Sequence, residues 1–90
     1  MGAVRDALRS RRVPGYVFAR KLEKRLGEGR MSEHRLNKLL SGRIKGVTAD
    51  EIHHIAEELV AIGAPLSEQQ VKDDLDRISR DRWEDFAKTA

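Results

Sequence analysis

The sequence predicts an all-α fold, one compact domain of about five helices. Three observations predict it. Apolar residues recur three and four positions apart in five separate segments, which is the spacing of one helix face. Gly and Pro fall between those segments, at 14–15, 27–29, 42–46 and 63–65. No window alternates apolar with polar residues as a half-buried strand requires. The chain has 90 residues, enough for a single small domain. Aromatics make up only 4%, so the core must be built from Leu, Ile, Val and Ala.

The first predicted helix spans 3–12, where Val4 and Leu8 stand four apart with Ala7 beside them. The second spans 16–26 and carries Phe18, Leu22 and Leu26, with Ala19 on the same side. The third spans 32–41, with Leu36, Leu39 and Leu40 as its apolar set. Ser32 stands at its start, where a side-chain oxygen can accept an orphan backbone N–H. The fourth, 49–61, has the strongest stripe, Ile52, Ile55, Ala56 and Leu59. Thr48 followed by Glu51 forms a capping box for it. The fifth, 67–80, carries Val71, Leu75 and Ile78, and Ser67 with Gln70 repeats the box just after Pro65. Gly27, Gly42 and Gly63 sit where helices should stop, because Gly accepts the left-handed conformation of a C-terminal turn. Fraying is expected only around Ala87–Ala90.

Several function classes drop out. Cysteine is absent, so the chain has no disulfide, thiolate nucleophile or thiolate metal site. No run of about 18 apolar residues exists to cross a membrane. The first residues lack an apolar stretch, so no secretory signal is expected, and Asp6 stands where a myristoylation signal wants Ser or Thr. A cytoplasmic location and no membrane partner are the expectation. His53 and His54 diverge by about 100° on a helix and do not share a metal easily. The acidic pairs Glu57-Glu58 and Asp73-Asp74 have no partner base. No catalytic constellation, phosphate-cradling glycine loop or small-molecule pocket is expected, and hence no enzyme, metal or cofactor.

Charge is divided along the chain. Residues 1–46 hold thirteen Lys/Arg against four Asp/Glu, and residues 47–90 hold five against eleven, giving the overall +3. Such an asymmetry within one domain points to a polyanion-facing side. The plainer alternative is two solvated faces whose charges attract each other.

The stretch Met31–Gly63, MSEHRLNKLLSGRIKGVTADEIHHIAEELVAIG, resembles the second half of the lambda-repressor and Cro type of helix-turn-helix domain. Met31-Ser32 match the turn, Leu36 and Leu39 the inward pair, Gly42 the closing glycine, and Ile52, Ile55, Ala56 and Leu59 the following stripe. The match covers about a third of the chain. The preceding segment departs from the pattern, because residues 16–30 lack its Gln and the turn GEGRM is one or two residues long. A second register is therefore open, with 32–41 as the first motif helix and 49–61 as the recognition helix. It would set Asp50, Glu51, Glu57 and Glu58 against phosphates, which is electrostatically poor.

In the first register the resemblance implies that Ser32, Glu33, His34, Arg35, Asn37 and Lys38 face double-stranded DNA. Arg35 has the chemistry to bind guanine bidentately and Asn37 to bind adenine. Glu33 can accept from cytosine, or simply favour the positive end of its helix. Arg43 and Lys45 would clamp phosphates, as would Arg20 and Lys21, or their neighbours Lys24 and Arg25, on the second helix. Arg9, Arg11 and Arg12 would join that face or form a basic arm. Residues 1–66 are then a DNA-binding unit and 67–90 a C-terminal helix. Val71, Leu75, Ile78, Trp83 and Phe86 are its expected dimerisation set, and a two-fold protein would meet a palindromic operator. The implied function is a transcriptional regulator, a phage- or plasmid-like repressor acting by operator binding. The rival is a small helical protein-interaction module, such as an antitoxin or host-takeover factor, whose acidic half binds another protein.

Overall fold

The computed structural model of the chain describes residues 2–44 and 46–89, with the backbone alone for 85, 88 and 89. Five helices and no strand occur among the described residues: α1 (Ala3–Ser10), α2 (Gly15–Leu26), α3 (Glu33–Leu40), α4 (Ala49–Ala61) and α5 (Glu68–Thr89). None of these helices is long and apolar enough to cross a membrane.

The expected caps form. The Ser32 hydroxyl accepts the Arg35 N–H at 3.1 Å. Thr48 and Glu51 make a reciprocal capping box, and Ser67 and Gln70 make another. At the C-terminal ends, the Arg43 N–H reaches back to the Lys38 carbonyl, and the Ala64 N–H to that of Leu59. Gly42 and Gly63 supply the positive φ that these closing turns need. The same turn after α1 has Arg12 at φ +54, where a side chain costs energy that Gly would avoid.

The core is a single cluster. Val4, Phe18, Leu22, Met31, Leu36, Ile55, Leu59 and Val71 are fully buried, one or more from every helix and one from the α2–α3 turn. Helix α4 lies centrally, packed on α2 and α5, while α5 also packs on α1 and α3. The apolar stripes read from the sequence are the faces that meet.

Two features differ from expectation. Helix α5 continues nine residues past 80, to Thr89. No Gly or Pro interrupts that segment. The pair Arg77–Asp81, one turn apart, spans the expected boundary. Twenty-two residues span about 33 Å, against short axes of 26 and 22 Å for the body. The second difference corrects the dimerisation set. Val71 and Leu75 are buried in the chain's own core, and Ile78 packs against Gly2 and Gly42. The first half of α5 therefore completes the core instead of offering a surface. Only Trp83 and Phe86 remain outside, 43% and 62% exposed, their rings edge to face at 5.9 Å.

Candidate nucleic-acid interface

The apolar side of α3 is locked by Leu36, Leu39 and Leu40, all buried. Its opposite side carries Glu33, His34 and Asn37, which are exposed, and Lys38, which is half-buried. His34, Asn37, Lys38 and Ser41 line one wall of a shallow depression of about 430 Å³, and Arg43 and Arg5 complete it. Arg5 comes from α1, a residue the sequence reading did not single out. The start of α2 adjoins this face, since a methyl group on Gly15 would lie 3.7 Å from Asn37 Oδ1. Arg20 and Lys21 stand exposed on α2 but do not line the depression. Lys45 lies outside the described residues.

Arg35 corrects the sequence reading. Its guanidinium does not extend with the other outward residues. It turns back onto α4, where Nε donates to Glu51 Oε2 and Nη2 to Glu51 Oε1, both at 2.8 Å. Glu51 is buried, and its Oε1 also accepts the Thr48 N–H at 2.9 Å. Burial pushes the Glu51 carboxyl up. The hydrogen bonds from Arg35 and the Thr48 backbone, together with the Arg35 charge, outweigh it and hold the group below the usual carboxylate range. The hydrogen bond to Glu51 likewise raises Arg35, against its own desolvation. This fork joins α3 to α4 and holds the Arg35 guanidinium against Glu51 rather than extended from the helix.

Two other arginines serve the fold. Arg25 bridges Glu58 at 3.0 Å and Glu57 at 2.9 Å, tying α2 to α4. Arg11 donates to the Gly63 carbonyl and closes the end of α4, so it is no part of a basic arm. The basic and acidic halves do attract each other at these points. The attraction stops short of the depression. Among the described residues, no ion pair neutralises Arg5, Lys38 or Arg43.

Gly42, besides closing α3, lies against α5. A methyl group there would sit 2.7 Å from the Ile78 carbonyl oxygen. The close approach is to the backbone of α5. Of the α4 histidines, His53 lies 3.0 Å from Glu57 and 3.4 Å from Glu68, and half-buried His54 lies 3.6 Å from Asp50 with its Nδ1 buried. Among the described residues no group of three His, Asp or Glu side chains is arranged to hold a metal ion. Comparisons with known protein families, with curated proteins and with solved structures find no match to this chain.

Proposed function

We propose that this protein binds duplex DNA through α3 and acts as a sequence-specific transcriptional regulator, a repressor that occupies its operator and blocks the promoter. The observation that carries the reading is the pairing of a recognition-type face with uncompensated charge. Helix α3 is held by its apolar side and presents His34, Asn37 and Lys38 outward, with Arg5 and Arg43 beside them. Such a face suits a major groove, which is about 12 Å wide and walled by phosphates. Charge favours α3 over α4 as the reading helix. Helix α4 packs between α2 and α5, and the side it leaves outward carries Asp50, His53, His54 and Glu57, whose carboxylates would face phosphates.

With Arg35 engaged elsewhere, base contacts fall to His34, Asn37 and Lys38, with Glu33 in the first turn. Arg43, Arg20 and Lys21 contact phosphate. Trp83 and Phe86 join two copies, so that two α3 helices meet a palindromic site. Selection from random-sequence duplexes tests this directly. The expected result is enrichment of a palindrome, bound more weakly as salt rises. No enrichment and no salt-dependent binding would rule the reading out. A second reading, a protein-interaction module, has one observation in its favour. Leu39, Ile44, Val47, Leu75 and Trp83 edge an apolar depression of about 470 Å³ that a partner helix could cover.

A further inference from the structure

Arg5 is the residue of the basic depression that sequence periodicity gives no reason to choose. Its placement is unusually determined. The α1 N-terminus has no side-chain cap of its own. Instead the buried carboxylate of Asp74, on α5, accepts the Ala3 N–H at 2.8 Å and the Val4 N–H at 3.1 Å. Gly2 is buried against Ile78 and Asp74, with less room than a methyl group needs. Val4 and Leu8 are buried on the next turns and fix the rotation of the helix. Arg5, the residue after Val4, is thereby turned away from the core and toward the end of α3. There it is half-buried and lines the same depression as Lys38 and Arg43. On its other side Arg5 borders a depression lined by Arg77 and Asp81, but among the described residues no carboxylate forms an ion pair with it.

We propose that Arg5 is a phosphate contact: with Arg43 it grips one phosphodiester of the strand flanking the groove that α3 enters. The inference rests on the duplex-binding reading and adds α1 to the interface. A guanidinium suits the role because its planar fork can donate two parallel hydrogen bonds to one phosphate. Arg43, across the depression, supplies the second charge. The contact carries no sequence information, so it strengthens binding to every duplex alike.

The test uses the full chain and a random-sequence duplex of about 24 base pairs, enough for two half-sites one helical turn apart. Affinity is measured across a salt series. Each phosphate contact adds about 0.9 to the magnitude of the slope of log affinity against log salt. Arg5→Ala is expected to lower that magnitude by about 0.9 per subunit and to weaken selected and random duplexes by the same factor. Arg5→Lys is expected to keep the slope, and Arg82→Ala, on the exposed side of α5, to leave it unchanged. Circular dichroism of each variant should match the parent. A parental slope in Arg5→Ala would overturn the inference while leaving duplex binding intact. An equal drop in Arg5→Lys would overturn it too, because the charge would then not be the cause. If the parent chain binds no duplex at any salt, or binds anionic vesicles instead, the duplex reading itself fails.

Discussion

Removing the Arg35 guanidinium should destabilise the domain and leave base preference alone. Arg35→Ala deletes two charge-assisted hydrogen bonds of 2.8 Å and leaves Glu51 behind with only its capping contacts to Thr48. The Glu51 side chain is 4% exposed, whereas that of Arg35 is 34% exposed. Breaking a fully buried pair from one side costs about 3–5 kcal/mol. One partner here is a third in solvent, which screens the pair, and water can enter the space the guanidinium leaves, so about 2–3 kcal/mol is the better figure. At about 4–8 °C per kcal/mol for a domain of this size, the melting temperature should fall by roughly 8–24 °C. Thermal melts of Arg35→Ala, Glu51→Gln and the double variant give the assay. The double variant should lose clearly less than the two singles together, with a coupling of about 1–2 kcal/mol, because both singles break the same fork. Binding of Arg35→Ala to selected duplexes, at a temperature where it is folded, should keep the parental order of sequence preference. A parental melting temperature combined with relaxed preference at one base pair would refute this reasoning and return Arg35 to the DNA face.

The remaining predictions concern pH, backbone and association. Glu51 has a folded pKa below its unfolded value, so its stabilisation is present above about pH 4.3 and is lost as pH falls through the folded value. Glu51→Gln should therefore be less stable at neutral pH yet show a shallower acid limb below about pH 4.3; parallel acid limbs in thermal melts would exclude the effect. Gly42→Ala should cost about 2–4 kcal/mol, since it adds a left-handed side chain and a methyl group 2.7 Å from a backbone oxygen. Gly29→Ala, at φ +78 with open space around it, should cost only about 1 kcal/mol in denaturant titrations; equal costs would mean that Gly42 is not pinned against α5. Replacing Trp83 and Phe86 together by Ala should convert a sedimenting dimer to monomer with little loss of helix signal, because both lie outside the core. A parental chain that sediments as a monomer with and without duplex would remove these two residues from any such role.

By itself the sequence determined what depends on neighbours along the chain. Apolar residues at i, i+3 and i+4 must share a helix face, so Val4 with Leu8, Leu36 with Leu39, and Ile52 with Ile55 and Leu59 mark faces that are buried. Ser32, Thr48 and Ser67 are readable as caps because the N–H groups they accept lie three residues on. Gly42 and Gly63 mark helix ends because a closing turn needs positive φ. The tertiary structure decided what depends on residues far apart in the chain. Arg35 sits on the side of α3 that spacing assigns to solvent, but its long side chain reaches a carboxylate sixteen residues away. Asp74 caps a helix that begins 71 residues earlier, and so delivers Arg5 to the basic depression. Val71 and Leu75 look identical in sequence whether their stripe meets the chain's own core or a second copy, and only the packing of α5 on α1, α3 and α4 placed them inside. Local periodicity fixes which residues share a face; the choice of what that face meets is made by long-range contacts, whose energies no single segment contains.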